Sequence, residues 1–484
     1  GTITVSGIVA EEDNTDLEVV AYPIIQASYN EINHNFEGYS SNYPSIITET
    51  VMADPVENID QDILNRIIAV LDTSGTYYEM TESSTDSGTY TAEVPVGSYL
   101  VMITGAETKV YNPVVVSVDY QNEKGQNVIG EGDVSVVGDG NAWVKVSNVP
   151  KVEKVIDDGS SHGLKGDSAN IGDIINYDVT IDPIPNYGGE HPVLNVVDTL
   201  SNGLEYVANS LTVKIDGDTL DAGTDYTFTP SGQSLTVDFV VKGEYTLNEY
   251  VGKSVVIEYQ AKVTTNAIVN EDGNYNDVDL NYSKDSKVDG DDGLDEDKTY
   301  TYTFDIDGDT TVTDKIVTKT GEDENEKALP GAVFGLYTDE NATKLYDNEV
   351  ANVKYDNIIS DAEGQLYITG LAEGTYYLKE LSAPEGYSVN THIFKIEIKA
   401  TYNTDGTLAS WTYTIDDTDV RTITVNHEGE TTATTEGGGI DIENTKLTAL
   451  PSTGGMGTTL FTIAGCVIMI SAAGLFFATR KKAN

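Results

Sequence analysis

Apolar and polar residues alternate through most of the chain, and a period of two marks strands that bury one face. Such runs occur at Thr2–Val9 and Leu17–Ser28, then at Ile174–Ile181, Val193–Asp198, Leu211–Ile215, Leu235–Val241, Val255–Val263 and Val278–Tyr282. They return around Lys315–Thr320, Val333–Tyr337, Gly374–Glu380, Ile393–Ile398, Trp411–Ile415 and Ile440–Glu443. Clusters of Gly, Asn, Asp and Ser separate the runs, as in sandwiches of short strands. Helical spacing occurs once before the C-terminal stretch: Ile59, Ile63, Leu64, Ile67, Ile68 and Leu71 share one face of Asn58–Asp72. Asn58 or Asp60 is placed to cap that helix, which should pack on a sheet. The predicted class is all-β, with tandem sandwich domains and one C-terminal helix.

Composition shifts divide the chain. The Gly- and Asp-rich stretch Gly130–Asn141 reads as a boundary, and Trp143–Val155 as the first strand of a second unit. The acidic run Val288–Asp297 reads as an exposed loop. The expected units are therefore 1–140, 141–310 and 311–446, followed by a C-terminal segment 447–484. A length of 484 residues suits three domains of ordinary size.

Leu460–Thr479 is twenty residues without a charge, long enough as a helix to cross a hydrocarbon core of about 30 Å. Arg480, Lys481 and Lys482 follow at once, and a basic stop on the cytoplasmic side holds the preceding chain outside. Just upstream stands Leu450-Pro451-Ser452-Thr453-Gly454. Motif, apolar span and basic tail in this order resemble the sorting signal of sortase substrates. That resemblance implies attack by a sortase thiol on the Thr453 carbonyl, with Gly454 leaving. Pro451 favours an extended backbone that a groove can hold, and Gly454 leaves the scissile carbonyl uncrowded. Gly1 opens directly into the strand-like GTITVSGIV, so export implies a leader removed from, or left out of, this sequence.

Charge removes one class of partner. With 27 Lys and Arg against 80 Asp and Glu, the formal charge of −53 makes binding to a phosphate backbone improbable. The single cysteine, Cys466, lies in the apolar stretch, so no disulfide can form within the chain and any covalent brace needs other chemistry. No lysine precedes Lys109, which rules out a lysine crosslink from the opening strand of the first unit.

The second and third units resemble the two kinds of isopeptide-forming domain of Gram-positive pilins, the third being of the SpaA-like B type with a prealbumin-like sandwich. In the third, Lys319 leads into Leu329-Pro330-Gly331-Ala332-Val333-Phe334. Glu373-Gly374-Thr375-Tyr376-Tyr377-Leu378-Lys379-Glu380, Ala383-Pro384-Glu385-Gly386-Tyr387 and Ile442-Glu443-Asn444-Thr445-Lys446 follow. The resemblance implies a bond from Lys319 to Asn444 assisted by Glu380. In the second, Pro150-Lys151-Val152-Glu153-Lys154, Gly172–Thr180, Val197–Leu204 and Gly273–Val278 match the fimbrial type. They imply Lys154 as nucleophile, Asp198 as assisting acid and Asn276 as acceptor, with Asn274 a rival acceptor. The chemistry needs a coupled inversion: burial makes the lysine a neutral amine and keeps the carboxyl protonated, so that it polarises the asparagine amide.

The same resemblance implies an elongated pilus backbone, whose acceptor lysine for a neighbour's Thr453 lies between the first two units. Trp143 and Pro150-Lys151 fit that segment, although Val149 replaces the family's tyrosine and the spacing is one residue short, so Lys151 and Lys145 both stand as candidates. Implied partners are a pilus-class sortase, a housekeeping sortase, other copies of the chain and peptidoglycan, with room for minor pilins and a host ligand. The alternative is a monomeric wall-anchored adhesin on a crosslinked stalk. Asp305-Ile306-Asp307-Gly308-Asp309 starts like a calcium loop, but Thr310 and Ile316 break the pattern, so it reads as a turn with no metal. His34, His162, His191, His392 and His427 are scattered without a catalytic motif. Neither a turnover enzyme nor a cofactor is expected.

Overall fold

Each alternating run contains a strand in the computed structural model. The structure describes residues 1–9, 16–30, 32, 35–53, 59–85, 87–121, 136–187, 192–285, 292–306, 317–322, 328–346, 355–426, 432–436, 440–447 and 457–480. In the first unit, Thr2–Ser6 lies between Gly140–Trp143, which is parallel to it, and Thr89–Glu93, which is antiparallel. A second sheet places Glu18–Asn30 between Asn35–Ser41 and Gly97–Thr104. Ile3, Val5, Val19, Ala21, Tyr99 and Val101 form the core that the two sheets share.

The other face of the second sheet is covered by the helix Gln61–Ile68. Asp60 accepts from the Ile63 backbone N–H at 2.9 Å and so caps it, as its sequence position requires. Leu64, Ile67 and Ile68 pack on Tyr22, Ile24, Leu100 and Met102. Covered on both faces, Gly97–Thr104 is buried at every position. The short helix Glu49–Ala53 was not foreseen.

The boundary expected near 141 shifts. Gly140–Trp143 and Val146–Asn148 both pair back onto the first unit, the latter with Lys109–Tyr111, so the Trp143–Val155 segment is broken and not one strand. The second sandwich opens only at Lys151–Ile156. Alternation marks a strand but not its partner, and here the partners differ.

One sheet of the second unit runs in the order Lys151–Ile156, Ile174–Asp182, Val255–Val263, Thr212–Ile215, Asp218–Thr219. The facing sheet runs Gly166–Ser168, Asp292–Tyr302, Asn274–Ser283, Leu194–Leu200, Ser234–Asp238, Thr227–Ser231. Tyr177, Val179, Ile257 and Tyr259 meet Val196, Leu235, Val278 and Leu280 between them.

The run Val288–Asp297 is not simply a loop, because from Asp292 it is strand, paired over ten positions with Asn274–Ser283. Its carboxylates have partners. Asp295 accepts from the Val152 N–H at 2.8 Å and Asp297 from the Lys154 N–H at 2.6 Å, which satisfies the open edge of the Lys151–Ile156 strand.

In the third unit a seven-stranded sheet carries Val333–Tyr337, Gly374–Ser382, Ile393–Tyr402 and Leu408–Ile415 at its centre. Val317–Gly321 and Ile440–Asn444 pair in parallel beside it. Phe304–Ile306 pairs with Ile368–Leu371, so this unit's pairing begins before the expected 311. The junction with the second unit is tight: a Cβ on Gly406, whose φ is +86°, would lie 2.2 Å from the Lys165 carbonyl oxygen. Asn170 Oδ1 accepts from the Ala372 N–H at 2.9 Å, and Ser168 Oγ from the Glu373 N–H at 2.9 Å.

Gly457–Arg480 forms one helix of 24 residues. Among the described residues no helix is long and apolar enough to cross a membrane. Side chains of this helix are described only from Thr462 to Ala473, so the expected crossing rests on the sequence of Leu460–Thr479.

Candidate functional site

Two buried lysines organise the chemistry. Lys154 is fully buried in the second unit, together with Asp198 and Asn276. Alternation along Lys151–Ile156 turns Lys154 inward, where its Nζ lies 5.2 Å from the Tyr177 ring centre and 5.1 Å from that of Tyr259. The two rings stack as a cross-strand pair, 5.3 Å between centres. Asp198 and Asn276 stand diagonally on adjacent strands of the facing sheet, since Leu200 is the residue opposite Asn276 and Val278 the one opposite Asp198.

The Tyr259 hydroxyl joins all three groups. Lys154 Nζ donates to it at 2.7 Å and Asn276 Nδ2 donates to it at 2.7 Å, while the hydroxyl donates to Asp198 Oδ1 at 2.8 Å. Lys154 Nζ is also bonded to Asp198 Oδ2. Burial pushes the Lys154 ammonium below the usual lysine range and the Asp198 carboxyl above the usual carboxylate range; each opposes the other's shift, but burial is the larger cause. Those directions favour a neutral amine beside a neutral acid.

Asn274 is just as buried, but its amide is occupied elsewhere. Its Oδ1 accepts from the Ile268 N–H at 2.8 Å, and its Nδ2 donates to the carbonyl oxygens of Ile268 at 2.9 Å and Thr301 at 3.2 Å. The structure gathers Asn276, and not Asn274, around Lys154. Sequence reasoning missed Tyr259 and Tyr177; their alternation with Val179 and Ile257 signals only burial.

Lys319, Glu380 and Asn444 are likewise buried in the third unit. Lys319 lies opposite Ile442 in the parallel pair, and Asn444 lies opposite Gly321. Glu380 Oε1 accepts from Asn444 Nδ2 at 2.7 Å, and its Oε2 accepts from the Asn390 N–H at 2.7 Å. Lys319 Nζ donates instead to the Ile442 carbonyl at 2.6 Å, two residues before the acceptor. Burial brings its pKa down to about 8, against the opposing pull of Glu380 and Glu443. In both sites the asparagine Oδ1 is buried and has no hydrogen-bond partner. It is the atom on which negative charge would develop.

At the junction of the first two units Lys151 and Lys145 are both exposed. Lys151 forms an ion pair with Asp295 at 2.9 Å, which raises its pKa. The Leu450–Gly454 motif lies outside the described residues, as do Lys481, Lys482, His34, His191, His427 and Asp307 to Ile316 of the calcium-loop candidate. Asp305 is buried and accepts from Thr369 Oγ1 at 2.5 Å and the Gly370 N–H at 2.7 Å, a structural role. Among the described residues no group of His, Cys, Asp and Glu could hold a metal ion.

Residues 313–411 match the SpaA prealbumin-like fold domain, 167–290 the Sgo0707 N2 domain and 442–484 the LPXTG cell wall anchor motif. The chain is 28% identical over 439 residues to the trypsin-resistant surface T6 protein of Streptococcus pyogenes serotype M6, covering 80% of this chain and 79% of that one. The solved structure of the T6 backbone pilin of Streptococcus pyogenes, described as a modular three-domain structure, superposes with a TM-score of 0.58. That match has 21% identity and covers 92% of this chain and 99% of the other, a likeness in fold.

Proposed function

We infer that this chain, an LPXTG-anchored surface pilin of Gram-positive type, polymerises into the covalent backbone of its pilus and braces its second and third units with Lys–Asn isopeptide bonds. It is a structural protein and not an enzyme, and the anchor holds it to the cell wall. The observation that carries the crosslinking part of the reading is the burial of Lys154 against Asp198, with Asn276 on the same Tyr259 hydroxyl. A buried lysine with an acid and an asparagine, but no cationic role, is costly unless its chemistry is used.

In each unit the neutral amine would add to the asparagine Cγ, the amide nitrogen would take up a proton and leave as ammonia, and an amide would remain. Lys154 and Asn276 lie on opposite sheets of their sandwich, so that bond would tie sheet to sheet. Lys319 and Asn444 lie on neighbouring strands near the two ends of their unit. The loops closed would span 122 residues, from 276 minus 154, and 125 residues, from 444 minus 319. By the chain-entropy argument used for disulfides, each closure would contribute about 4–5 kcal/mol.

For assembly, a sortase thiol would attack the Thr453 carbonyl, break the bond to Gly454 and pass the acyl group to a lysine amine of another copy. A pilus-class sortase would perform this step and a housekeeping sortase the final transfer to peptidoglycan; minor pilins and a host ligand are further partners of this reading. Expressed with its sortase, the protein should give a high-mass covalent ladder in wall extracts. Anchored monomer alone would assign it as an adhesin.

A further inference from the structure

One group opposite Asn276 is left unused by that mechanism. Thr299 is fully buried and lies directly opposite Asn276 in the antiparallel pairing of Asn274–Ser283 with Asp292–Tyr302. Its neighbours Lys298 and Tyr300 are partly exposed, so alternation turns Thr299 to the inner face that Asn276 also occupies. Directly opposed residues hold their Cβ atoms about 4.5–5.5 Å apart. Thr299 Oγ1 has no hydrogen-bond partner, and neither has Asn276 Oδ1. A donor and an acceptor thus face each other across one strand pair, both buried and both unpaired.

The Tyr259 hydroxyl is committed as a donor to Asp198, whereas the Tyr177 hydroxyl lies 3.2 Å from that of Thr301, where either oxygen can donate, and also meets the Asn276 side chain, which makes Tyr177 the rival donor. We propose that the Thr299 hydroxyl donates a hydrogen bond to Asn276 Oδ1 as the Lys154 amine adds, which makes Thr299 a catalytic residue of this crosslink. The proposal rests on the reading that Lys154 and Asn276 are joined. As the Nζ–Cγ bond forms, the carbonyl π pair moves onto Oδ1, where the threonine hydroxyl holds it without giving up its proton. A proton from Nζ passes through the Tyr259 and Asp198 pair to Nδ2, the Cγ–Nδ2 bond breaks, ammonia leaves and the carbonyl re-forms. The two oxygens are not in hydrogen-bond contact before the reaction, so Thr299 has to turn about its Cα–Cβ bond, or the amide has to shift, to bring Oγ1 onto the developing charge.

Valine keeps the shape of threonine and removes the donor. The test is a timed cell-free synthesis of the ectodomain, quenched in denaturant, with the Lys154–Asn276 linkage quantified by peptide mass spectrometry and the Lys319–Asn444 linkage followed in the same samples. Loss of one oxyanion donor slows reactions by roughly 10²–10³, so Thr299→Val should form the first linkage about a hundredfold more slowly while Thr299→Ser stays near wild type. Thr299→Ala, which cannot overpack, should repeat the loss, with near-UV circular dichroism reporting the fold of each variant. Wild-type rates in folded Thr299→Val or Thr299→Ala would overturn the proposal, and slowing in Tyr177→Phe instead would move the donor there. A folded wild-type protein without the Lys154–Asn276 linkage would overturn the crosslink reading itself, an outcome separable because it appears before any substitution.

Discussion

A protonated lysine cannot attack an amide, so the proposed bonds depend on how far burial strips the proton from Lys154 and Lys319. With the Lys319 pKa at about 8 against an ordinary 10.5, formation of its bond should rise about tenfold per pH unit below that value and level off above it, which a pH-quench series read by intact mass would show. In Asn444→Ala, which has no acceptor, the unfolded chain binds the extra proton between these two values, so stability should increase from about pH 8 to about pH 10.5 and stay at its lower value below pH 8. A urea midpoint flat across that window would show the amine to be unperturbed. The acids have a separate readout. The wild-type ectodomain should lose two ammonia molecules from its sequence mass, and Asp198→Ala and Glu380→Ala should each leave one unlost; full crosslinking in either would move the acid role to another residue. Lys154, Asp198, Lys319, Glu380 and Asn444 were legible from motif positions. Asn276 was legible as acceptor only with Asn274 as a rival, because two residues apart on one strand they share a face and both are buried. The strand register, with Asn276 opposite Leu200 and so diagonal to Asp198, and the hydrogen bonds that occupy the Asn274 amide favour Asn276 as the proposed acceptor.

Strands were legible where apolar residues alternated and illegible where both faces carried charge. The start of the strand Asp292–Tyr302 falls in the acidic run Val288–Asp297, which reads as a loop because its charges hide the alternation, yet those acids serve the neighbouring edge. Asp297 accepts from the Lys154 N–H and is ion-paired with Lys165, which donates at 2.6 Å to the Lys154 carbonyl. The carboxylate therefore clamps the backbone of the nucleophile's own residue. Asp297→Ala in an Asn276→Ala background, where no crosslink masks the effect, should destabilise the second unit by about 1–3 kcal/mol in urea unfolding, since a partly buried N–H and a lysine lose their partner. A change within about 0.5 kcal/mol, as for an ordinary surface substitution, would return Asp297 to the role of solvated charge. The split at Trp143–Val155 was hidden for another reason. Local pattern carries no information about a partner more than a hundred residues away, as Ser6 is from Trp143.

At the scale of the whole molecule, tension along the proposed fibre would pass from one copy to the next through whichever lysine receives Thr453. A lysine consumed inside a domain cannot also be the acceptor, so the proposed crosslinks would exclude Lys154 and Lys319 and leave the exposed pair at the junction of the first two units. Lys151 opens the edge strand Lys151–Ile156, directly after Pro150, and its side chain is 64% exposed. Asp295 holds the amine in a fixed place, but a surface ion pair of this kind contributes only about 0–1 kcal/mol, so an approaching acyl-enzyme can displace it. The same pair raises the lysine pKa, so the sortase has to take the proton as the acyl group transfers. Lys145 lies between the two strands that pair back onto the first unit, where a bond would load that unit and bypass the second sandwich's first strand. Load applied at Lys151 enters the strand that carries Lys154, three residues before the proposed internal bond, and passes into the opposite sheet. Lys151→Ala should therefore abolish the ladder in wall extracts while anchored monomer persists, and Lys145→Ala should leave the ladder intact. The reverse pattern would make Lys145 the acceptor, and an undiminished ladder in the double variant would remove the junction from the assembly reaction altogether.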